Sequence, residues 1–138
     1  MLCGGVLAAG FFCGGLRVHA AGQDAPALYS AAQAKRGSGL YQTQMCGVCH
    51  GETLGGADQA PPLAGAEFVA KYADQSILVL FDKVQKTMPA TKPGSLTPAQ
   101  TSDLLTFILS SNKYAAGDAE LPADRDQLKA IQMPKPTK

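Results

Sequence analysis

The 138-residue sequence contains no tryptophan, only two histidines and four cysteines, and almost no net charge. Twelve lysines and arginines stand against eleven aspartates and glutamates, which leaves a formal charge of +1. A nucleic-acid-binding domain carries an excess of basic residues, so no nucleic-acid partner is expected. Beyond the N-terminus there is no second apolar run of membrane-spanning length, which excludes a protein with several transmembrane helices. Four cysteines are also too few for a disulfide-stabilised scaffold in a chain this long.

The N-terminal segment is predicted to be a signal peptide. Residues 2–16 are apolar and uncharged, Arg17 ends the run, and Val18-His19-Ala20 offers a small residue for cleavage near Ala20. We therefore predict a signal peptide over 1–20, a folded domain over 21–116 and an extension over 117–138. The mature chain is expected in the periplasm without a membrane span, or anchored to the membrane if the signal is not cleaved.

All cysteine and histidine of the predicted mature chain lies in one pentapeptide, Cys46-Gly47-Val48-Cys49-His50. Two thiols at this spacing can each bond to a vinyl group of one haem, and the next residue offers an imidazole to the iron. A structural zinc site needs four ligands, and only three such residues are present here. A redox-active dithiol fits the spacing but lacks the strand expected in a βαβ unit. The motif therefore predicts one covalent haem c, with the dithiol as the alternative.

A second axial ligand to the haem iron is expected downstream of the pentapeptide. Met45 adjoins the cysteines on the His50 side, and Met133 lies in a tail rich in proline and lysine. Met88 follows a helical segment and begins the loop Met88-Pro-Ala-Thr-Lys-Pro-Gly94, in which prolines and glycine stop the helix. A single methionine is commonly core filler. The position of Met88 in a loop nevertheless favours it as the ligand. If Met88 does not bind the iron, the alternative is a haem enzyme or gas sensor with an open coordination site.

The chain resembles the class I c-type cytochromes, which are small electron carriers with one haem and His/Met ligation. The resemblance covers about residues 30–115 and rests on Cys46–Gly51, the Ala60–Gly65 stretch, the Met88-Pro89 loop and a final apolar helix. A narrower similarity connects residues 29–33, 61–65 and 112–124 to cytochrome domains associated with pyrroloquinoline quinone (PQQ)-dependent alcohol and sugar dehydrogenases.

This resemblance implies an all-α fold with helices packed around one covalent haem. It implies thioether bonds from Cys46 and Cys49, axial ligation by His50 and Met88, and a hydrogen bond from His50 to the carbonyl of Pro61. The implied function is periplasmic electron transfer rather than catalysis. A PQQ-dependent dehydrogenase is then the expected donor and an oxidase or another cytochrome the acceptor. A haem subunit of a larger dehydrogenase is the alternative within this class.

Local signals predict three helices. Ser30 and Gln33 form a capping-box pattern before a helix over about 31–42, Asp74 is the expected cap of a helix to about Lys86, and Thr97-Pro-Ala-Gln100 begins a third. In the family, a glycine and an aromatic residue of the first helix pack on the last, and Gly37 and Tyr41 match them. Tyr41 lies five residues before Cys46 instead of four, so either the helix ends in a bulge or Tyr41 is not the packing residue. Residues 117–138 are expected on the surface, docked by Leu128 and Ile131.

Overall fold

A computed structural model describes residues 26–58 and 60–135 of the chain. The predicted signal peptide, residues 1–20, lies outside the described residues. The elements in chain order are β1 (Tyr29–Ser30), α1 (Ala31–Thr43), α2 (Gly47–His50), α3 (Ala66–Tyr72), α4 (Ile77–Thr87), α5 (Pro98–Ser111), β2 (Ala116–Gly117) and α6 (Arg125–Ala130). Helices dominate, so the predicted all-α class is confirmed, with one short addition: β1 and β2 pair in parallel, Tyr29 opposite Ala116. No helix within the described ranges is long and apolar enough to cross a membrane.

The crossing of α1 and α5 forms the centre of the fold. A Cβ atom placed on Gly37 would lie 1.9 Å from the carbonyl oxygen of Asp103, so only glycine permits this approach of the two helices. One turn further on, the rings of Tyr41 and Phe107 pack with their centroids 5.3 Å apart. The predicted packing of Gly37 and Tyr41 against the last helix is therefore confirmed.

The two predicted capping boxes have different outcomes. At α5, the Thr97 hydroxyl accepts from the Gln100 N–H and the Gln100 side chain accepts from the Thr97 N–H, as predicted. At α1, the Ser30 hydroxyl accepts from the Gln33 N–H at 3.1 Å, but the Gln33 side chain does not return the bond. The buried Gln33 amide instead pairs with the peptide of Leu121, donating to its carbonyl at 3.0 Å and accepting from its N–H at 2.7 Å. The prediction that the Gln33 side chain completes the capping box is therefore wrong. The buried peptide group of Leu121 needs hydrogen-bond partners, and the Gln33 amide supplies them.

The predicted start of α4 at Asp74 is also wrong. Ser76 is the cap, and its hydroxyl accepts from the N–H of Leu78 at 3.3 Å. Asp74 has a φ of +62°, a left-handed conformation that cannot begin a helix, and its carboxylate pairs with Lys135 at 2.7 Å. The segment before α4 is held by residues near the C-terminus. Local sequence signals do not reveal such a distant contact.

The C-terminal tail, residues 117–135 of the described chain, lies on the surface as predicted, with most of its residues exposed, and it inserts a few apolar side chains into the core. Leu128 is buried and Ile131 is partly buried against the core, so both dock as predicted, and the buried side chains of Leu121 and Met133 join them. The N–H of Ile77 donates to the carbonyl of Ile131 at 2.9 Å, and the N–H of Met133 donates to Gln75 at 2.9 Å. The tail thereby anchors the start of α4. The boundary at residue 116 stays a prediction.

Candidate haem site

The end of α1 sets the position of the cysteine pentapeptide. The N–H of Cys46 donates to the carbonyl of Tyr41 at 3.0 Å, and the N–H of Met45 donates to Gln42 at 3.0 Å. These two bonds form a Schellman motif, in which the residue after the cap takes the left-handed conformation. Met45 takes it with a φ of +54°, although glycine is the usual residue there. This turn accommodates the additional residue between Tyr41 and Cys46, so the helix ends in a bulge and Tyr41 still packs on α5.

The pentapeptide forms a single helical turn. Cys46 is the residue before α2 and His50 is its last residue, with the N–H of His50 donating to the carbonyl of Cys46 at 3.0 Å. Residues three apart lie on the same face of a helix, so Cys46 and Cys49 face the same side. Both thiols are unpaired, with Cys46 half-buried and Cys49 exposed. Burial raises the pKa of the Cys46 thiol, which therefore stays protonated near neutral pH.

The buried imidazole of His50 is held in one orientation. Its Nδ1 lies 3.0 Å from the carbonyl oxygen of Pro61. Because a carbonyl oxygen only accepts hydrogen bonds, this contact assigns the proton to Nδ1 and leaves the lone pair on Nε2. The opposite nitrogen of the ring is therefore available to a metal ion. The resemblance to class I cytochromes implies this same contact between His50 and the Pro61 carbonyl.

The backbone at His50 and at the next residue is also fixed by hydrogen bonds. The carbonyl of His50 accepts from the N–H of Gly56 at 2.9 Å, and the carbonyl of Gly51 accepts from the Tyr41 hydroxyl at 2.7 Å. Gly56 has a φ of +79°, and a Cβ atom there would lie 2.8 Å from the carbonyl oxygen of Ala60. Burial raises the pKa of Tyr41 to about 12, so its hydroxyl remains a donor at physiological pH. Tyr41 thus connects the α1–α5 crossing to the residue that follows His50.

Asn112 is a site residue whose role the sequence analysis missed. Its side-chain N–H groups donate to the carbonyls of Leu63 and Ile108 at 2.8 and 2.9 Å, and its oxygen accepts from the N–H of Gly65 at 2.9 Å. These bonds fasten the loop that carries Pro61 to the end of α5. An asparagine after a helix is an ordinary cap, and nothing local indicates that it reaches a loop 47 residues earlier.

Met88 comes from a different part of the fold. It caps the C-terminal end of α4, its N–H donates to the carbonyl of Val84 at 2.9 Å, and it is half-buried. The other two methionines of the described chain differ from it in their surroundings. Met45 is 71% exposed beside the cysteines, and Met133 is buried with its backbone paired to Asp74 and Gln75. The hydrogen bonds of the structure bring Cys46, His50 and Pro61 together, whereas they place Met88 only at the end of its helix.

The fold and this site define a c-type cytochrome domain. Residues 32–108, more than half of the chain, match the family described as "Cytochrome C oxidase, cbb3-type, subunit III". The chain belongs to this family of c-type cytochrome domains, which confirms the resemblance at the level of class I cytochromes. No curated protein and no solved structure matches the chain.

A c-type cytochrome domain binds haem c covalently and serves electron transfer. The residues of this chain fit that cofactor. Two unpaired thiols lie on one face of a helical turn, and the adjacent imidazole has one nitrogen bound to a carbonyl and the other free. A ring fixed in this way by a partner on its outer nitrogen is the usual arrangement of a histidine that binds a metal.

Proposed function

We propose that this protein is a periplasmic monohaem electron carrier in which Cys46 and Cys49 hold the porphyrin as thioethers. In this proposal His50 would hold the haem iron through Nε2, and Met88 would hold it through its thioether. The observation that carries the proposal is the 3.0 Å contact from Nδ1 of His50 to Pro61, beside two free thiols. When bound, the haem supplies one-electron exchange at its iron.

Each protein ligand has a distinct effect in this proposal. The Pro61 carbonyl accepts a hydrogen bond from the Nδ1–H of His50, which makes the imidazole a stronger electron-pair donor through Nε2. The sulfur of Met88 is a soft ligand that favours ferrous iron, so it raises the reduction potential. With His50 and Met88 both holding the iron, small molecules would not reach it, and the protein would transfer electrons without catalysing bond formation.

The surroundings of the methionines support Met88 over its alternatives. Met133 has 1% of its surface exposed and is fixed in the core by the tail, and Met45 belongs to the turn just before Cys46. Met88 is the half-buried methionine at a helix end, followed by a loop.

A PQQ-dependent dehydrogenase is the donor that we propose, and an oxidase or another cytochrome is the acceptor. The sequence segments behind this narrower similarity have structural roles here. Tyr29 pairs with Ala116, Gln33 binds Leu121, and Asn112 binds the 63–65 loop. These contacts show that the three segments hold this domain together, and the proposal of the donor rests on the sequence similarity alone. Purification of the protein with its donor from periplasm, as a complex or as a dehydrogenase subunit, is the direct test.

The first experiment measures covalent haem. The intact mass of the holoprotein should exceed that of the polypeptide by one haem, and acid acetone should not extract the pigment. N-terminal sequencing of the same sample tests cleavage near Ala20. Free thiols at Cys46 and Cys49 in the purified protein would favour the dithiol oxidoreductase instead. The raised pKa of the Cys46 thiol argues against that alternative, because a reactive dithiol depends on a stabilised thiolate.

The second experiment tests the axial ligand with Met88→Ala and the matched control Met133→Ala. Met88→Ala should keep the covalent haem, lose the methionine-to-iron absorption band, bind carbon monoxide faster and lower the reduction potential. Met133→Ala should leave the spectrum and potential unchanged while lowering stability by about 2–5 kcal/mol, since it empties a buried site. A native six-coordinate spectrum in Met88→Ala contradicts the assignment of the ligand.

A further inference from the structure

The segment 88–96, which begins with the proposed ligand Met88, is placed by the helix before it. Among the described residues, its hydrogen bonds join residues three or four positions apart, as from the N–H of Met88 to the carbonyl of Val84 at 2.9 Å. Helix α4 has 11 residues and is about 16 Å long, so it moves as one rigid element. The position of Met88 therefore follows the position of α4.

The start of α4 is held by the core and by the C-terminal tail. Three side chains among its first five residues are buried: Ile77, Leu80 and Phe81. The N–H of Ile77 donates to the carbonyl of Ile131, and the N–H of Met133 donates to the carbonyl of Gln75, both at 2.9 Å. The tail thus pairs with the backbone exactly where α4 begins, at the end of the helix opposite to Met88.

The hydroxyl of Ser76 connects the start of α4 to the end of α6. It accepts from the N–H of Leu78 at 3.3 Å, which caps α4. Its single proton lies within reach of two carbonyl oxygens of α6, those of Leu128 at 3.1 Å and Lys129 at 3.0 Å. The last carbonyls of a helix lack partners within it, and the Ser76 hydroxyl supplies a donor to them. One side chain therefore caps both helices.

The beginning of the tail is joined to the crossing of α1 and α5. The peptide group of Leu121 is paired in both directions with the Gln33 amide of α1. From α5, the Ser102 hydroxyl donates to the carbonyl of Leu121 at 2.8 Å. This crossing also supports the His50 side of the candidate site. The tail is therefore a continuous connection from the elements that support His50 to the helix that carries Met88.

We propose that the C-terminal tail, residues 117–135, positions Met88 for iron binding, and that Ser76 is the positioning residue through which the tail acts on α4. The proposal rests on the proposed function, since it takes Met88 as the second axial ligand. Rigid elements joined by hydrogen bonds transmit the position of one site to another. When the Ser76 connection is broken, the start of α4 opens more often, and Met88 leaves the site more often.

The variant Ser76→Asp separates the two roles of this residue. Aspartate is as good a helix cap as serine, so α4 keeps its cap. An ionised carboxylate only accepts hydrogen bonds, so at neutral pH it does not donate to the carbonyls of Leu128 and Lys129. Ser76→Thr is the matched control, because it keeps the hydroxyl and both roles. If Ser76→Asp yields no folded holoprotein, Ser76→Gly replaces it, since glycine is an acceptable cap without a donor.

Two measurements on the holoprotein test the proposal. Hydrogen exchange at the Ile77 amide reports the opening of the start of α4, and it should be about tenfold faster in Ser76→Asp. The affinity of the reduced protein for carbon monoxide reports the fraction of molecules in which Met88 has left the site, because apparent affinity is proportional to that fraction. This affinity should also rise about tenfold in Ser76→Asp. Both values should stay within about twofold of wild type in Ser76→Thr.

Tyr29→Phe is the control for a general loss of stability. It removes the buried 2.6 Å hydrogen bond from the Tyr29 hydroxyl to the carbonyl of Tyr114, in which no residue of α4 takes part. It should lower the stability of the fold without raising the affinity for carbon monoxide. The proposal is overturned if Tyr29→Phe raises this affinity as much as Ser76→Asp does, or if the affinity of Ser76→Asp equals that of wild type.

Met88→Ala separates failure of this proposal from failure of the proposed function. If wild type binds carbon monoxide as strongly as Met88→Ala, Met88 is not the ligand, and the proposed ligation and the role of the tail are both overturned. If Met88→Ala binds it far more strongly than wild type while Ser76→Asp does not, the ligation stands and the role of the tail alone is overturned.

Discussion

The His50 side and the Met88 side of the candidate site are built in different ways. On the His50 side, buried side chains from distant elements fix the backbone: Tyr41 binds Gly51, and Asn112 binds the loop that carries Pro61. On the Met88 side, the residue is placed by the end of α4, and the tail holds the opposite end of that helix through Ile77. The His50 side is therefore fixed by hydrogen bonds at the site itself. The position of Met88 depends instead on where the whole of α4 lies. Disturbing the first should alter the site directly, while disturbing the second should act mainly through the stability of α4.

The largest effect should come from disturbing the crossing of α1 and α5, which supports the His50 side. Gly37→Ala places a methyl group against the carbonyl of Asp103, where the ideal position is 1.9 Å from the oxygen. The helices must separate, so we expect a loss of about 3 kcal/mol in the free energy of unfolding, the upper end of the usual cost of overpacking. Urea unfolding followed by circular dichroism measures this loss.

Gly39→Ala is the matched control on the same helix. No atom lies within 4 Å of a Cβ placed there, and alanine is the better helix former. Its free energy of unfolding should rise by about 0.5–1 kcal/mol. If the two variants are equally stable, the close approach of α1 and α5 is not what holds the His50 side.

A smaller and more local effect is expected from Asn112→Ala. The change leaves the carbonyl of Leu63 and the N–H of Gly65 without their partners. We expect a loss of about 2 kcal/mol in stability and faster hydrogen exchange at the Gly65 amide. Ser111→Ala, one residue earlier, removes only a bond to the carbonyl of Phe107 and should change stability by less than about 0.5 kcal/mol. Unchanged exchange at Gly65 in Asn112→Ala would show that the loop is held by other contacts.

The smallest effect should come from the ion pairs of Asp82, one within α4 and one that joins α4 to α6. Asp82 pairs with Arg125 and with Lys86, and the bond from Arg125 lowers the pKa of Asp82 to about 2. A depressed pKa stabilises the fold above the ordinary value near 3.8, and this contribution is lost as the pH falls towards 2. Because the side chains of its partners Arg125 and Lys86 are 51% and 64% exposed, Asp82→Asn should cost no more than about 1 kcal/mol at neutral pH.

Urea unfolding of wild type and Asp82→Asn between about pH 2 and 7 measures this dependence. The difference between them should be constant above about pH 5 and close to zero at pH 2. Asp118→Asn, an exposed carboxylate without an ion pair among the described residues, should show no such dependence. A pH-independent difference for Asp82→Asn would assign its effect to packing.

The elements that could be predicted from the sequence are those whose signals are local. Thr97 and Gln100 lie within four consecutive residues, and the cysteine pentapeptide carries its chemistry within five residues. Gln33 and Asp74 were assigned incorrectly because their partners, Leu121 and Lys135, come from the end of the chain. Asn112 was missed for the same reason, since its bonds reach back to Leu63 and Gly65. A local pattern does not reveal such contacts, because they exist only after the chain has closed on itself.

The distance along the chain between the pentapeptide and α5 also sets an order of events during synthesis. The contacts that enclose the α1–α2 segment come from α5, and Asn112 follows Gly65 by 47 residues. A chain that emerges N-terminus first therefore presents both thiols and His50 well before Phe107 can cover Tyr41. We expect covalent attachment to act on this open form, with the crossing of α1 and α5 completed afterwards. The length of the chain between the pentapeptide and α5 then sets how long the two thiols stay accessible before the fold closes.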